Sequence, residues 1–156
     1  MRWIALSLIV VLAAACGPSA EELAQQAAEA AAAAADSAVA EAQAAFDPSV
    51  FDTLTWENDQ ARLDRGGQVF TFSCEKCHGA EGLGDGGFVQ NGDTLRPPSF
   101  ADPNWALAGD VAGIREAIFV GTREGMPHWG LAGLHAESVD AVTTYILETL
   151  TAGDEG

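Results

Sequence analysis

The chain has 156 residues, with 7 Lys and Arg against 23 Asp and Glu, a formal net charge of −16. So acidic a surface repels phosphate, which excludes nucleic acid as a partner. It favours a protein partner that presents a basic docking face or binds through an apolar patch. Aromatic residues and glycines crowd into the region from Phe46 onward. The expected folding unit is therefore about 95–105 residues, a size at which a large buried cofactor helps a modest core.

The N-terminus carries one charge at Arg2, an apolar run from Ile4 to Ala15, then Cys16-Gly17. These are the parts of a secretory signal over residues 1–15, too short for a spanning helix of about 20 residues. Ala13-Ala14-Ala15-Cys16 resembles the lipobox of bacterial lipoproteins, although Leu12 stands four positions before the cysteine where the family more often has it at three. The resemblance implies lipidation of Cys16 and anchoring on the periplasmic side of a bacterial membrane. Gly17 slightly favours the outer membrane over the inner. The alternative is ordinary cleavage nearby, which leaves a soluble protein with a free cysteine.

Residues 16–46 are expected to be the lipidated cysteine and a low-complexity stalk. The stretch 19–45 is mostly Ala, Glu and Gln, with Leu23 and Val39 isolated. Helix propensity is high and no heptad seam is sustained, so a stalk that is helical part of the time is predicted. Fully helical it would reach roughly 40 Å at about 1.5 Å per residue, enough to hold the folded part clear of a bilayer. A helix contact with a partner is the other reading.

Asp47-Pro48 opens the domain, 47–156, with its core over 57–151. The spacing predicts a helix from Glu57 to Ser73, with Leu63, Gly66, Phe70 and Cys74 on one side. Little periodicity follows from Gly79 to Pro103. Asp110 is placed to cap a short helix through Val120, which Gly121 stops. Gly121 to Leu134 is loop. A last amphipathic helix, Ala136–Leu150, is expected to bury Val139, Val142, Tyr145, Ile146 and Leu150. No strand is predicted, so the fold class is all-α.

Cys74-Glu75-Lys76-Cys77-His78 is C-x-x-C-H, the attachment motif of c-type haem. Two thiols on one helical turn reach the two vinyl groups on one edge of a porphyrin, and the histidine that follows meets the iron from the same face. A thioredoxin-like pair would need a βαβ setting and would leave His78 unexplained. Zinc would need further ligands, and His128 and His135 miss the usual spacing. Gly82-x-Gly84-x-x-Gly87 has no strand before it to make a dinucleotide site. Asp85, Asn91 and Asp93 do not fit a twelve-residue calcium loop.

Over most of residues 57–151 the chain resembles the class I cytochrome c family. Gly66 and Phe70 stand eight and four positions before Cys74, where that family has a glycine and an aromatic. Val142 and Tyr145 match its last-helix aliphatic and aromatic. The resemblance implies a small helical domain wrapped around one covalent haem c, its first and last helices crossing at the glycine. It also implies Met126, in Gly125-Met126-Pro127-His128-Trp129, as the second axial ligand opposite His78, with His128 the competitor. A carbonyl of Pro97 or Pro98 is expected to accept the other ring N–H of His78, the choice between them open. Arg96, Arg123, Trp105 and Trp129 are candidates for the haem propionates, Arg123 foremost, with a plain surface arginine the alternative. His135 is expected to cap the last helix.

The expected protein is a membrane-tethered, single-haem electron carrier cycling Fe(II)/Fe(III) between redox partner proteins. It is not an enzyme and has no catalytic residues; its oligomeric state is open. The alternatives are a fixed haem subunit of a larger oxidase or dehydrogenase, and an open-site haem catalyst or gas sensor.

Overall fold

The computed structural model describes residues 17–90 and 92–151. The expected signal, 1–15, and the expected lipidation site Cys16 lie outside the described residues.

Helix α1 spans Ala20–Ala45 as one continuous element. A reciprocal box starts it: Ser19 Oγ accepts from the Glu22 N–H at 3.2 Å and Glu22 Oε2 accepts from the Ser19 N–H at 2.6 Å. Residues 20–34 are exposed, whereas Ala35, Ala38, Val39, Ala42 and Phe46 turn inward at three- and four-residue steps. The stalk read as helical part of the time is thus a formed helix whose second half is docked. Small alanines carry that contact, which is why no apolar seam announces it.

After a 3₁₀ turn at Pro48–Thr53 that buries Phe51, α2 runs from Asp59 to Val69, capped by Asn58 Oδ1 on the Ala61 N–H at 2.8 Å. A wide π turn at Phe70–Cys74 carries the chain straight into α3, Glu75–His78. The helix expected to end at Ser73 therefore continues through the C-x-x-C-H segment. A two-residue hairpin, β1 Val89–Gln90 with β2 Asp93–Thr94, pairs Val89 with Thr94. It is the one departure from the all-α expectation among the described residues.

Helix α4 covers Val111–Val120, capped by Asp110 Oδ1 on the Gly113 N–H at 2.9 Å and stopped at Gly121. Helix α5, Ala136–Tyr145, ends in a second π turn, Ile146–Leu150. His135 occupies the N-cap position of α5, but its side chain makes no capping bond; the expected side-chain cap is not formed. The His135 backbone carbonyl accepts from the Ser138 and Val139 N–H groups instead.

Helices α2 and α5 cross at Gly66. A Cβ there would sit 2.6 Å from Tyr145 Cβ and against the Ala141 carbonyl oxygen, so only glycine lets the two backbones approach this closely. The Phe70 ring fills the flank, 5.7 Å from Tyr145. Phe70, Ile114, Val139 and Val142 are the largest apolar side chains fully removed from water, while Tyr145 stays half-buried.

Asp140 ties the helices together from inside the core. Its carboxylate accepts from Arg62 at 2.6 Å, from Trp56 Nε1 at 2.8 Å and from Arg115. Burial alone would raise its pKa, but hydrogen bonds from Arg62, Trp56 and Arg115 outweigh that and hold it below the usual carboxylate value.

Candidate haem site

A cavity of about 420 Å³ opens between α3, the 95–100 segment, α4 and the loop after α4, within the roughly 300–1,000 Å³ of small-molecule and cofactor clefts. Cys74, Cys77 and His78 line it from the α2–α3 side, and Met126 and Trp129 from the loop. Phe100, Trp105, Ile114, Ile118 and Ile146 make the remainder of its wall largely apolar.

The cysteine side is set by local backbone bonds. The Gly79 N–H reaches the Glu75 carbonyl at 2.8 Å, and the Gly84 N–H reaches the His78 carbonyl at 2.7 Å. The His78 ring stacks on Phe100, centroids 4.8 Å apart and planes 17° from parallel. Burial pushes its pKa down to about 4, so at neutral pH the imidazole is uncharged and has a lone pair for a metal. Burial, reinforced by Cys77, pushes the Cys74 thiol up to about 12. Burial also raises Cys77, with Lys76 opposing it. Both are free thiols.

His78 Nδ1 is buried and has no hydrogen-bond partner. The expected bond to a carbonyl of Pro97 or Pro98 is therefore not formed, although both prolines line the cavity. The Pro97 carbonyl oxygen lies instead against Gly84, in the space a Cβ would fill.

On the other side, Met126 is held by Thr122: the Thr122 N–H donates to the Met126 carbonyl at 3.0 Å, and Thr122 Oγ1 accepts from the Met126 N–H at 3.4 Å. Gly121 makes this turn possible. Its φ is +72°, and a Cβ there would be 2.6 Å from the Met126 carbonyl oxygen. His128, the competing ligand, donates from Nδ1 to the Val120 carbonyl and is not part of the cavity wall.

Arg123, expected at the propionates, turns the other way. It is 63% exposed, pairs with Asp36 of α1, and does not line the cavity. The acidic helix that captures it lies about 90 residues away in sequence, which no local pattern reveals. Arg96, Trp105 and Trp129 do reach the cavity. Phe100, the ring under His78, went unrecognised as a site residue; its place just after Arg96-Pro97-Pro98-Ser99 was the available signal.

Two free thiols, a neutral imidazole with an unpartnered nitrogen and a thioether around one apolar cavity fit a covalently attached haem. No cluster of three or more His, Cys, Asp or Glu gathers among the described residues to hold a bare metal ion. Nor is any described helix long and apolar enough to cross a membrane.

Comparison with known proteins agrees with this chemistry. Residues 61–146 match the family described as cytochrome c oxidase, cbb3-type, subunit III. Among curated proteins, the chain is 32% identical over 94 residues to the cbb3-type cytochrome c oxidase subunit CcoP of Rhodobacter capsulatus, covering 56% of this chain and 29% of that one. It is 30% identical over 95 residues to subunit FixP of Azorhizobium caulinodans, covering 61% of this chain and 29% of that one. The chain thus spans under a third of the length of these relatives. No solved structure matches it significantly.

These relatives are subunits of an oxidase, in keeping with an electron-transfer protein rather than an enzyme. They overturn the expectation of one haem c, because the matched oxidase subunits are dihaem c-type cytochromes. They also place the relationship with oxidase subunits rather than specifically with class I single-haem lipoproteins.

Proposed function

The chain belongs to the cbb3-type cytochrome c oxidase subunit III family, and from that premise we propose that it is a c-type cytochrome that relays electrons as a fixed subunit of a larger oxidase assembly. The observation that carries this reading is one cavity lined by Cys74, Cys77, His78 and Met126 in a chain of that family. Free roaming between partners is the weaker reading, because both relatives are named as oxidase subunits.

Cys74 and Cys77 would be the thioether anchors, and His78 and Met126 the axial ligands. A haem bound here supplies a one-electron Fe(II)/Fe(III) couple. The chain's residues do the rest. His78 stays uncharged because it is buried. Met126 offers a soft, neutral thioether that favours the reduced state. Phe100, Trp105, Ile114 and Ile118 keep water from the cavity. With His78 and Met126 both serving as iron ligands, no site would remain for substrate, which separates this reading from an open-site catalyst or gas sensor. Arg96 is the basic residue placed at the cavity to meet a propionate. Export to the periplasmic side of a bacterial membrane through the 1–15 signal, with anchoring at Cys16, belongs to the same proposal. The oxidase relatives give no support to the outer-membrane preference drawn from Gly17.

Redox-titrated absorption of the native protein and its Met126→Ala variant tests the ligand set. The variant is expected to show a lower potential and prompt carbon monoxide binding when reduced; an unchanged spectrum and potential reject Met126. Gentle solubilisation of native membranes tests the assembly. A stoichiometric complex with oxidase subunits is expected, and recovery of the chain alone would restore the mobile-carrier reading.

A further inference from the structure

We propose that the docked half of α1 is a brace for the methionine loop, with Phe46 and Asp36 as positioning residues that hold Met126 at its axial place. The inference rests on Met126 being an iron ligand, as proposed above.

Helix α1 is tied to both ends of the loop that carries Met126. At its start, Arg123 pairs with Asp36. At its end, the contact runs through α4: the Phe46 ring lies 5.4 Å from Phe119, and the Phe119 carbonyl accepts from the Gly130 N–H at 3.1 Å. Gly130 itself lies flat against the Phe119 ring, where a Cβ would not fit. Ala42 is completely buried in the α1 contact, and Gln43 Nε2 donates to Glu116 Oε1 at 2.8 Å one step further along.

The two ties differ in strength. Asp36 and Arg123 are 49% and 63% exposed, so their attraction is weakened by water and screened by salt. The aromatic contact is sheltered, with Phe46 also 6.1 Å from the buried Phe51 ring. The loop's other hydrogen bonds are short-range, among them Thr122 to Met126 and His128 to Val120, while Gly125 lies against Gln90 and Leu95, and Met126 and Trp129 pack on the core. The loop gains a further support from a helix that contributes no residue to the cavity wall.

The test uses the full chain, matured with its haem, as Phe46→Ala, Ala42→Glu and Asp36→Asn variants beside Met126→Ala. Ala42→Glu places a charge at a fully buried position of α1 without changing the Phe46, Phe51 or Phe119 side chain itself. Hydrogen exchange over residues 35–45 reports docking independently of the iron. The Fe(III)–methionine charge-transfer band and the rate of carbon monoxide binding to the reduced protein report the axial position. Loss of protection in Phe46→Ala and Ala42→Glu is expected to accompany about 5- to 10-fold faster carbon monoxide binding, the scale of one lost aromatic contact, with a weakened band. Asp36→Asn should move the rate by about twofold or less, an effect that shrinks further at high salt.

Free α1 with a native band and rate, while Met126→Ala changes both, overturns the brace and leaves the ligand reading standing. A Met126→Ala protein with native band and rate overturns both together. Protection that survives both Phe46→Ala and Ala42→Glu also overturns it, since neither residue then holds the helix.

Discussion

Cys74, Cys77 and His78 reach the cavity from five consecutive residues on one helical segment, held by backbone bonds to neighbours a few positions away. Met126 reaches the same cavity from a loop that leans on α4 and, through Phe119 and Arg123, on a helix some 80–90 residues earlier in the chain. One wall is a local motif whose geometry follows from helical spacing. The other exists only once distant segments have packed. Damage to the first should abolish cofactor attachment, whereas damage to the second should loosen one ligand and leave the pigment in place.

The largest effect is expected at the cysteine wall. His78→Ala removes the imidazole beside the two thiols, and most covalent haem should be lost, as read by pigment that survives denaturation and acid–organic extraction. Retention of native covalent pigment in that variant would erase the distinction between the walls.

Next comes the strut common to both. Asp140 binds Arg62 of α2 and Arg115 of α4, so Asp140→Asn leaves two half-buried guanidinium groups without their counter-charge. The expected cost is about 3 kcal/mol, measured by denaturant unfolding of the holoprotein. The acid limb should change too. The folded-state pKa of Asp140 lies below its unfolded value, so its contribution is complete above about pH 3.9 and disappears as pH falls through the lower folded value. The asparagine variant should lose that part of the acid dependence. An acid limb identical to wild type would show that the carboxylate is not stabilised in the fold.

A smaller and more selective effect belongs to Gly121→Ala, which places a side chain at φ +72° and 2.6 Å from the Met126 carbonyl oxygen. Strain of about 1–2 kcal/mol is expected, with faster carbon monoxide binding and full covalent haem. Loss of pigment here would mean that the two walls do not fail separately.

The smallest effect should come from Ser19→Ala. It removes the cap of α1 at a cost of about 1 kcal/mol, visible as lost helicity by circular dichroism. Because residues 20–34 are exposed, potential and carbon monoxide kinetics should stay unchanged.

Wherever the deciding contacts are short in sequence, the amino-acid order was legible. The start and stop of α4 lay open in Asp110 and Gly121, and the attachment site in C-x-x-C-H. The α2–α5 crossing was available through the resemblance to class I cytochrome c, whose pattern Gly66, Phe70, Val142 and Tyr145 match. The wide turns at Phe70–Cys74 and Ile146–Leu150 were not legible, since residues that form them also suit an ordinary helix. The expectation of one haem came from a motif count over one stretch of chain, whereas the match covers only 29% of the length of each relative.

From its sequence alone this protein takes an all-α character, a helix carrying two thiols and an imidazole on one side, and an acidic surface. Each follows from propensity, periodicity or charge acting over a few residues. Tertiary structure alone decided that Arg123 meets Asp36 rather than the cavity, that Phe100 lies under His78, that His78 Nδ1 finds no proline carbonyl, and that an alanine-rich helix docks beside the methionine loop. Those outcomes depend on which side chains meet after the chain has closed on itself, and pairings across 20 to 90 residues leave no periodic trace in one sequence.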